Sequence, residues 1–530
     1  MADPVHDHPP APPDLAGSAA AFALTDGSGA TSGTDAPGRP GAQPAADDRA
    51  GPHPATGSDP EGPGGRAQWQ ERMFASPLYS RLWRAQVVSS MGDWIGFLAI
   101  AAAAARVGGG SPETAVGLVM SARIAPGFFL GPMAGVLVDR WDRKKVMVAC
   151  DLGRAATLAF LPFITRVWQL LLASLVLEVF TLLWSPAKEA SVPNLVPSNR
   201  LATANSLSLV AAYGTFPFAS ALFALLARVA QALGGIAALG SLKVNQESVA
   251  FWFDAATFGL SALIIFRLPL PRLSRAERAE RADQPQTHGL GSEESPPSSV
   301  ASAITELREG WRYIFLNPVV RAVNLGLATG LVGGAMVVPL GPVFSKEVLG
   351  AGTPGFGLLT TALGLGVAIG ILLVSLLQKH VPHARVFTHA VLVAGCSIVL
   401  AASMSSLAGA ASSVALLGIA AGGVYVLGFT LLHENVDDQL RGRIFSALYT
   451  LVRLCVLIAF AVAPLLSGVL GGLSRRLLGD SRFTVGGLTV FVPGVRLTLW
   501  LAGLIILAAW VLTSRSLRGV DRAHDAAGDG

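Results

Sequence analysis

From about residue 84 to residue 513 the chain alternates long apolar stretches with short polar breaks. A helix needs roughly 20 apolar residues to cross the hydrocarbon core of a bilayer. The apolar runs predict spans over 84–106, 114–137, 146–165, 168–188, 202–229, 248–267, 319–341, 354–378, 385–404, 409–432, 443–470 and 493–513. The longest interior break, 269–318, falls after the sixth of them and divides the spans six and six. It begins Arg-rich, continues through GSEESPPSSV and ends in the amphipathic TELREGWRYIF. Ile304 to Phe315 is a candidate surface helix lying on the membrane. The expected fold is an all-α membrane protein with twelve transmembrane helices in two pseudo-symmetric six-helix bundles, 76–268 and 319–514.

Composition sharpens this reading. Of the 530 residues, 52% are apolar and 14% charged, and the mean hydropathy is +0.54. Soluble domains carry about 25% charged residues, so this chain lacks the polar surface to face water all round. A net charge of +5, scattered between apolar runs, does not make the clustered basic face that nucleic acid needs. Cys150, Cys396 and Cys455 sit in or beside apolar runs and read as small buried hydrophobes. No CxxC, HExxH, GxSxG or GxxxxGK[ST] pattern occurs, so nothing suggests an enzyme, a metal site, a cofactor or ATP use.

Residues 1–75 are rich in Ala, Pro, Gly, Asp and Ser, and are expected to be a disordered tail rather than a signal peptide. The basic residues set the orientation. Arg81, Arg84, the run Arg140 to Lys145, the central loop, Arg441, Arg443, Arg515 and Arg518 all fall on one side. That side is expected to be the cytoplasm, with the tail 1–75, the loop 269–318 and the tail 515–530, in an inner or plasma membrane. Arg475, Arg476, Arg482 and Arg496, between the last two spans, are the local exception.

The sharpest motif follows the second span: Gly135-Val-Leu-Val-Asp139-Arg140-Trp-Asp142-Arg143-Lys144. It resembles the loop motif Gly-x-x-x-Asp-Arg-x-Gly-Arg-Arg of major facilitator transporters, with Asp142 in place of the second Gly. Gly92-Asp93-Trp94, Arg123-x-x-Pro126, Asp151-x-x-Arg154, Pro193-x-x-Val196-Pro197, Leu201-x-x-Ala204-Asn205-Ser206 and Arg441-Gly442-Arg443 are similar to the branch containing siderophore and macrolide exporters. Similar halves occur in relatives fused to a thymidylate kinase, a part missing here. The resemblance covers about 75–520.

It implies a substrate held between two rocking halves, with lipid and a small molecule as partners and protons as the candidate coupling ion. It also implies a gating network of Gly135, Asp139, Arg140, Arg143, Lys144, Asp151, Arg154 and Glu189, with Arg441 and Arg443 as the second-half counterpart. Ionisable groups inside spans are costly, so each is a functional candidate. Asp93 and Arg123 lie at similar depth and are expected either to couple proton movement or to form a static pair. Glu178 is the first candidate for proton contact. Arg453, in the eleventh span, would meet an anionic substrate group or Glu178.

The aromatic residues Trp94, Phe97, Phe128, Phe129, Trp184, Tyr213, Phe216, Tyr425 and Tyr449 would suit an amphipathic cargo. His433 and Glu434 read as interfacial. Span five keeps Gly214 and Pro217 but lacks the trailing Gly pair common in proton-driven exporters. The expected function is proton-coupled efflux by a secondary transporter. The competing reading is a non-transporting receptor or scaffold on the same fold, for which an intact loop motif would be unnecessary.

Overall fold

The computed structural model describes Phe74 and residues 76–139, 141–234, 245–269, 312, 316–377, 382–436, 438–479, 481–485 and 488–528. The expected tail 1–75, apart from Phe74, lies outside them, as do most of the central loop and, except for Arg312, the candidate surface helix. The first helix, α1 (Pro77–Val107), starts where the Ser76 hydroxyl accepts from the amides of Leu78 and Tyr79, with Pro77 in the first turn. It ends at Gly108, followed by Gly109 at φ +58. Next come α2 (Pro112–Asp139), α3 (Arg143–Phe160) and α4 (Val167–Glu189).

Span five is broken into α5 (Leu201–Tyr213) and α6 (Phe216–Gly234). Pro217 explains the position: it has no N–H, and its ring clashes with the carbonyl four residues back, that of Tyr213. Then α7 (Ser248–Phe266) completes the first half.

The seventh span breaks the same way, into α8 (Pro318–Ala335) and α9 (Val337–Val343), with Pro339 four residues after Ala335. A π-helical turn at Phe344–Val348 leads to α10 (Gly352–Leu377). The chain continues through α11 (His383–Ser403), α12 (Leu407–Asn435), α13 (Asp438–Leu478) and α14 (Gly494–Gly528). By length and composition, eleven helices or helix runs among the described residues can cross a membrane; α2 occupies the place of the second predicted span.

A purely helical fold needs one correction. Arg482–Val485 (β1) and Leu488–Phe491 (β2) form an antiparallel hairpin between α13 and α14. Alternating Thr, Val, Leu and Phe on either side of Gly486-Gly487 suit strands around a tight turn. The hairpin also accounts for Arg496. This side chain is buried and donates to the carbonyls of Phe491 (2.5 Å) and Met404 (2.8 Å), tying the hairpin to the α11–α12 turn. A second correction concerns Cys396: Cys150 and Cys455 are buried, but Cys396 is exposed. Its place on a membrane-spanning helix makes an exposed thiol inexpensive, because lipid is its solvent.

Apolar side chains gather in one cluster among α1–α7, a second that joins α1–α7 to Phe356 of α10 and Phe460 of α13, and a third among α8–α14. Close backbone approach helps hold α8–α14, the second group of helices, together. Gly366 and Gly370 of α10 face the carbonyls of Ala415 and Ile419, while Gly418 and Gly422 of α12 face those of Leu363 and Val367. Any Cβ at these four positions would collide with backbone, the small-x-x-x-small mode of helix packing in membranes.

The two groups meet toward the end where α1 finishes, here called the distal end. Ser467 donates to Glu113 at 3.1 Å, Phe460 and Pro464 pack on Gly117, and Phe356 meets Phe223 edge-on at 6.3 Å. The Thr353 amide donates to Gln246 at 3.2 Å.

Candidate functional site

Helix α1 is fastened to α5 by side chains that donate to main-chain carbonyls. Tyr79 Oη bonds Ala204 (2.5 Å), Trp83 Nε1 bonds Leu207 (2.8 Å), Gln86 Nε2 bonds Ser208 (3.0 Å) and Trp94 Nε1 bonds Ala212 (2.8 Å). The last of these lands at the span-five break, where Ala212 is among the final residues of α5. This fastening fixes the rotation of α1 and with it Asp93, which is next to Trp94.

Asp93 retains 35% exposure of its side chain and makes its ion pair with Arg154 of α3, at 3.7 Å. The pair expected with Arg123 therefore gives way to one with Arg154. The reason lies in α3: Asp151 and Arg154 are three residues apart and share a face, and Asp151 bonds the guanidinium from the other side. Ser261 of α7 donates to the second Asp151 oxygen at 2.7 Å. The Arg154 guanidinium also lies over the rings of Phe258 (4.2 Å) and Trp184 (5.3 Å). Both Asp151 and Arg154 are buried. Arg154 thus bridges α1 and α3 against α4 and α7 and holds two carboxyls at once.

Glu178 of α4 points at Gly127 of α2, and Arg123 is near enough for its charge to act on Asp93, Glu178 and Asp254. The sequence reading passes over Asp254, although an acid inside the span 248–267 meets the criterion that selected the others. It also misses Ser261, which carries no charge to mark it. Arg106 and Glu247 form a further unforeseen pair, at 2.5 Å. They lie at the C-terminal end of α1 and just before α7, where the helix dipoles favour a cation and an anion respectively.

The loop-motif residues lie apart from this cluster. Arg143 donates to the Ala190 carbonyl at 2.6 Å and Lys144 to that of Leu268 at 2.8 Å, so the two cations cap the C-terminal ends of α4 and α7. Glu189 is exposed. Arg140 lies outside the described residues; Gly135 and Asp139 fall in α2, and Arg441 and Arg443 in α13, described as helical backbone. Arg453 is exposed, and no ion pair joins it to Glu178 among the described residues. Of the aromatic candidates, Trp94 meets Phe216 (4.8 Å) and Phe97 (6.1 Å) edge-on, Trp184 covers Arg154, and Tyr213 and Tyr425 are exposed. The side chains of Phe128, Phe129 and Tyr449 lie outside the description. His383 and Glu434 approach to 2.9 Å, which gives the expected interfacial acid a partner.

Comparison with known proteins places this architecture. The profile of the Major Facilitator Superfamily matches residues 82–460. The chain belongs to the Major Facilitator Superfamily. Curated relatives include the MFS-type transporter YfiS of Bacillus subtilis, 29% identical over 253 residues, 48% of this chain and 51% of YfiS. The MFS-type transporter Mb0038c of Mycobacterium bovis is 26% identical over 425 residues, 78% of this chain and 90% of that protein. Macrolide efflux protein A of Streptococcus pyogenes is 35% identical over 98 residues, 17% of this chain and 24% of that protein. The alignment with YfiS thus spans about half of that protein's length, and the one with the efflux protein about a quarter.

Among solved structures, a bacterial homologue of the human lysosomal transporter Spinster, inward-facing and unoccupied, superposes with a TM-score of 0.62. The two are 16% identical over 83% of this chain and 97% of that one. This major facilitator protein is therefore a multi-pass membrane transporter, not an enzyme, and its interior charge cluster is built entirely from α1, α2, α3, α4 and α7.

Proposed function

We propose that this transporter exports a small amphipathic compound across the bacterial plasma membrane, coupled to proton entry. On this reading twelve helices form two six-helix halves over 76–268 and 319–514, both termini are cytoplasmic, and the halves rock about a substrate held between them. The observation that carries the reading is the Asp93–Arg154 pair. A carboxylate that is only partly buried, yet ion-paired with a buried arginine, can exchange a proton for the pair. Protonation of Asp93 releases one side of Arg154 and leaves Asp151 holding the other. Glu178 and Arg123 lie within the same field and complete the coupling set.

Several observations support export of an amphipathic cargo. One relative is named for macrolide efflux, and Trp94, the residue after Asp93, packs edge-on against Phe216. Contacts between the halves at the distal end, Glu113 with Ser467 and Gln246 with Thr353, fit a state closed to the outside. In that state the loop motif moves with the first half, because Arg143 and Lys144 anchor it to the ends of α4 and α7. Asp139, Arg140 and Glu189 then meet Arg441, Arg443 and the rest of the second half only when the inner side closes. The test is transport in reconstituted vesicles with an imposed pH gradient and a panel of amphipathic drugs, siderophores and nucleosides. A cargo should dissipate the gradient with the native protein and fail to do so with Asp93→Asn. Cargo movement that ignores the gradient would refute the coupling.

A further inference from the structure

Among the described residues, the interior of α1–α7 holds four carboxyls that act on one another's surroundings, those of Asp93, Asp151, Glu178 and Asp254, against two guanidiniums, those of Arg123 and Arg154. Fully ionised, the set would carry two uncompensated negative charges inside a membrane bundle. Two of the carboxyls, Asp93 and Asp151, are ion-paired with Arg154. Asp254 is only 1% exposed, and no ion pair reaches it among the described residues.

Its surroundings are specific. The two carboxyl oxygens sit in a notch of α1 made by Gly92 and Gly96, where a Cβ at either position would collide with them. Thr257 is the polar neighbour, its hydroxyl 2.7 Å from the Asp254 main-chain oxygen and 3.2 Å from Oδ1. One hydroxyl proton cannot serve both oxygens fully, so an ionised Asp254 would keep one oxygen short of a donor. A carboxylic acid has no such deficit, since its own O–H can be given to the Thr257 oxygen.

The charged groups whose fields reach Asp254 are Asp93 on α1, Arg123 on α2 and Arg154 on α3, whose guanidinium is shared with Asp151; α6, also packed on α7, has only Arg228, toward its distal end. The two arginines are the only cations in this set, and Arg154 is already shared by two acids.

We propose that Asp254 is a proton-binding site of the transporter, occupied in this closed arrangement, and that its neutral carboxyl lets α1 pack onto α7 through Gly92 and Gly96. The proton reaches it from water by way of Asp93, the partly buried acid next to Gly92, and leaves by the same route. Loss of the proton places a charge between two glycines with the Thr257 hydroxyl beside it and no ion-pair partner among the described residues, and drives α1 away from α7. The consequence for transport rests on the proton-coupled reading above; the protonation itself does not, and it needs no substrate.

Infrared spectroscopy of the purified full-length protein at neutral pH tests it directly. A protonated-carboxyl C=O band should be present, lose the intensity of one carboxyl in Asp254→Asn and persist in Asp93→Asn. Asp254→Asn should fold with undiminished thermal stability, because the amide reproduces a neutral group of the same shape. Absence of the band, or its persistence undiminished in Asp254→Asn, would overturn the proposal. So would an Asn variant that does not fold. A transporter whose cargo flux ignored the pH gradient while this band behaved as expected would refute coupling and leave the protonation standing.

Discussion

At the scale of single residues, Arg154 decides the character of the site. It is buried, bonded to Asp151 and Asp93, and covered by two aromatic rings. Removing one partner of a buried ion pair leaves the other uncompensated, at a cost of about 3–5 kcal/mol. Arg154→Ala should therefore lose most of its folded yield, while Asp93→Asn, at a partly buried position, should fold and lose only proton dependence. Thermal melts in detergent alongside vesicle flux separate the two; equal damage from both changes would contradict this division. Glu178→Gln should likewise abolish proton dependence at normal yield, and a drop in yield with intact coupling would make Glu178 structural. Asp93, Arg123, Asp151, Arg154 and Glu178 are visible in the sequence because a charge inside an apolar run stands out. Their pairing is not, since both Arg123 and Arg154 act on Asp93 and only the rotation of the helices gives the ion pair to Arg154. Ser261, uncharged, gives no signal at all.

At the scale of elements, the breaks and contacts of the helices follow from few residues. Pro217 and Pro339 place the interruptions in spans five and seven, and the Trp94 indole bonds the last turn of α5 beside the first. Trp94→Phe keeps the ring and removes the donor, an effect of about 0.5–1.5 kcal/mol. It should lower the melting temperature modestly and slow transport; an unchanged variant would show that the α1–α5 fastening is redundant. In α10 and α12 the constraint is steric. Gly418→Val should sharply reduce folded protein, whereas Gly330→Ala, at a position with open space around its Cβ, should be tolerated. Detergent size-exclusion profiles compare them, and equal tolerance would refute the close approach. The membrane-spanning helices are legible because apolar length alone marks a span. The β1–β2 hairpin is not, because eight strand residues between two long helices carry too little pattern to register against them.

At the scale of the whole molecule, the family is legible in the loop motif after the second span. Which face of each half meets the other is not, because interface and lipid-facing positions are equally apolar in a membrane protein. The structure supplies it in the distal contacts of α2 with α13 and α6 with α10. A Glu113→Cys/Ser467→Cys pair, in a background with Cys150, Cys396 and Cys455 replaced, should crosslink under oxidation and stop transport until reduced. Crosslinking without inhibition would mean that the halves need not part there. The most direct test of the central claim remains proton movement in vesicles that carry the native protein, with cargo added against an imposed pH gradient. The account predicts cargo-dependent dissipation of the gradient that disappears in Asp93→Asn, and dissipation undiminished by that substitution would contradict it.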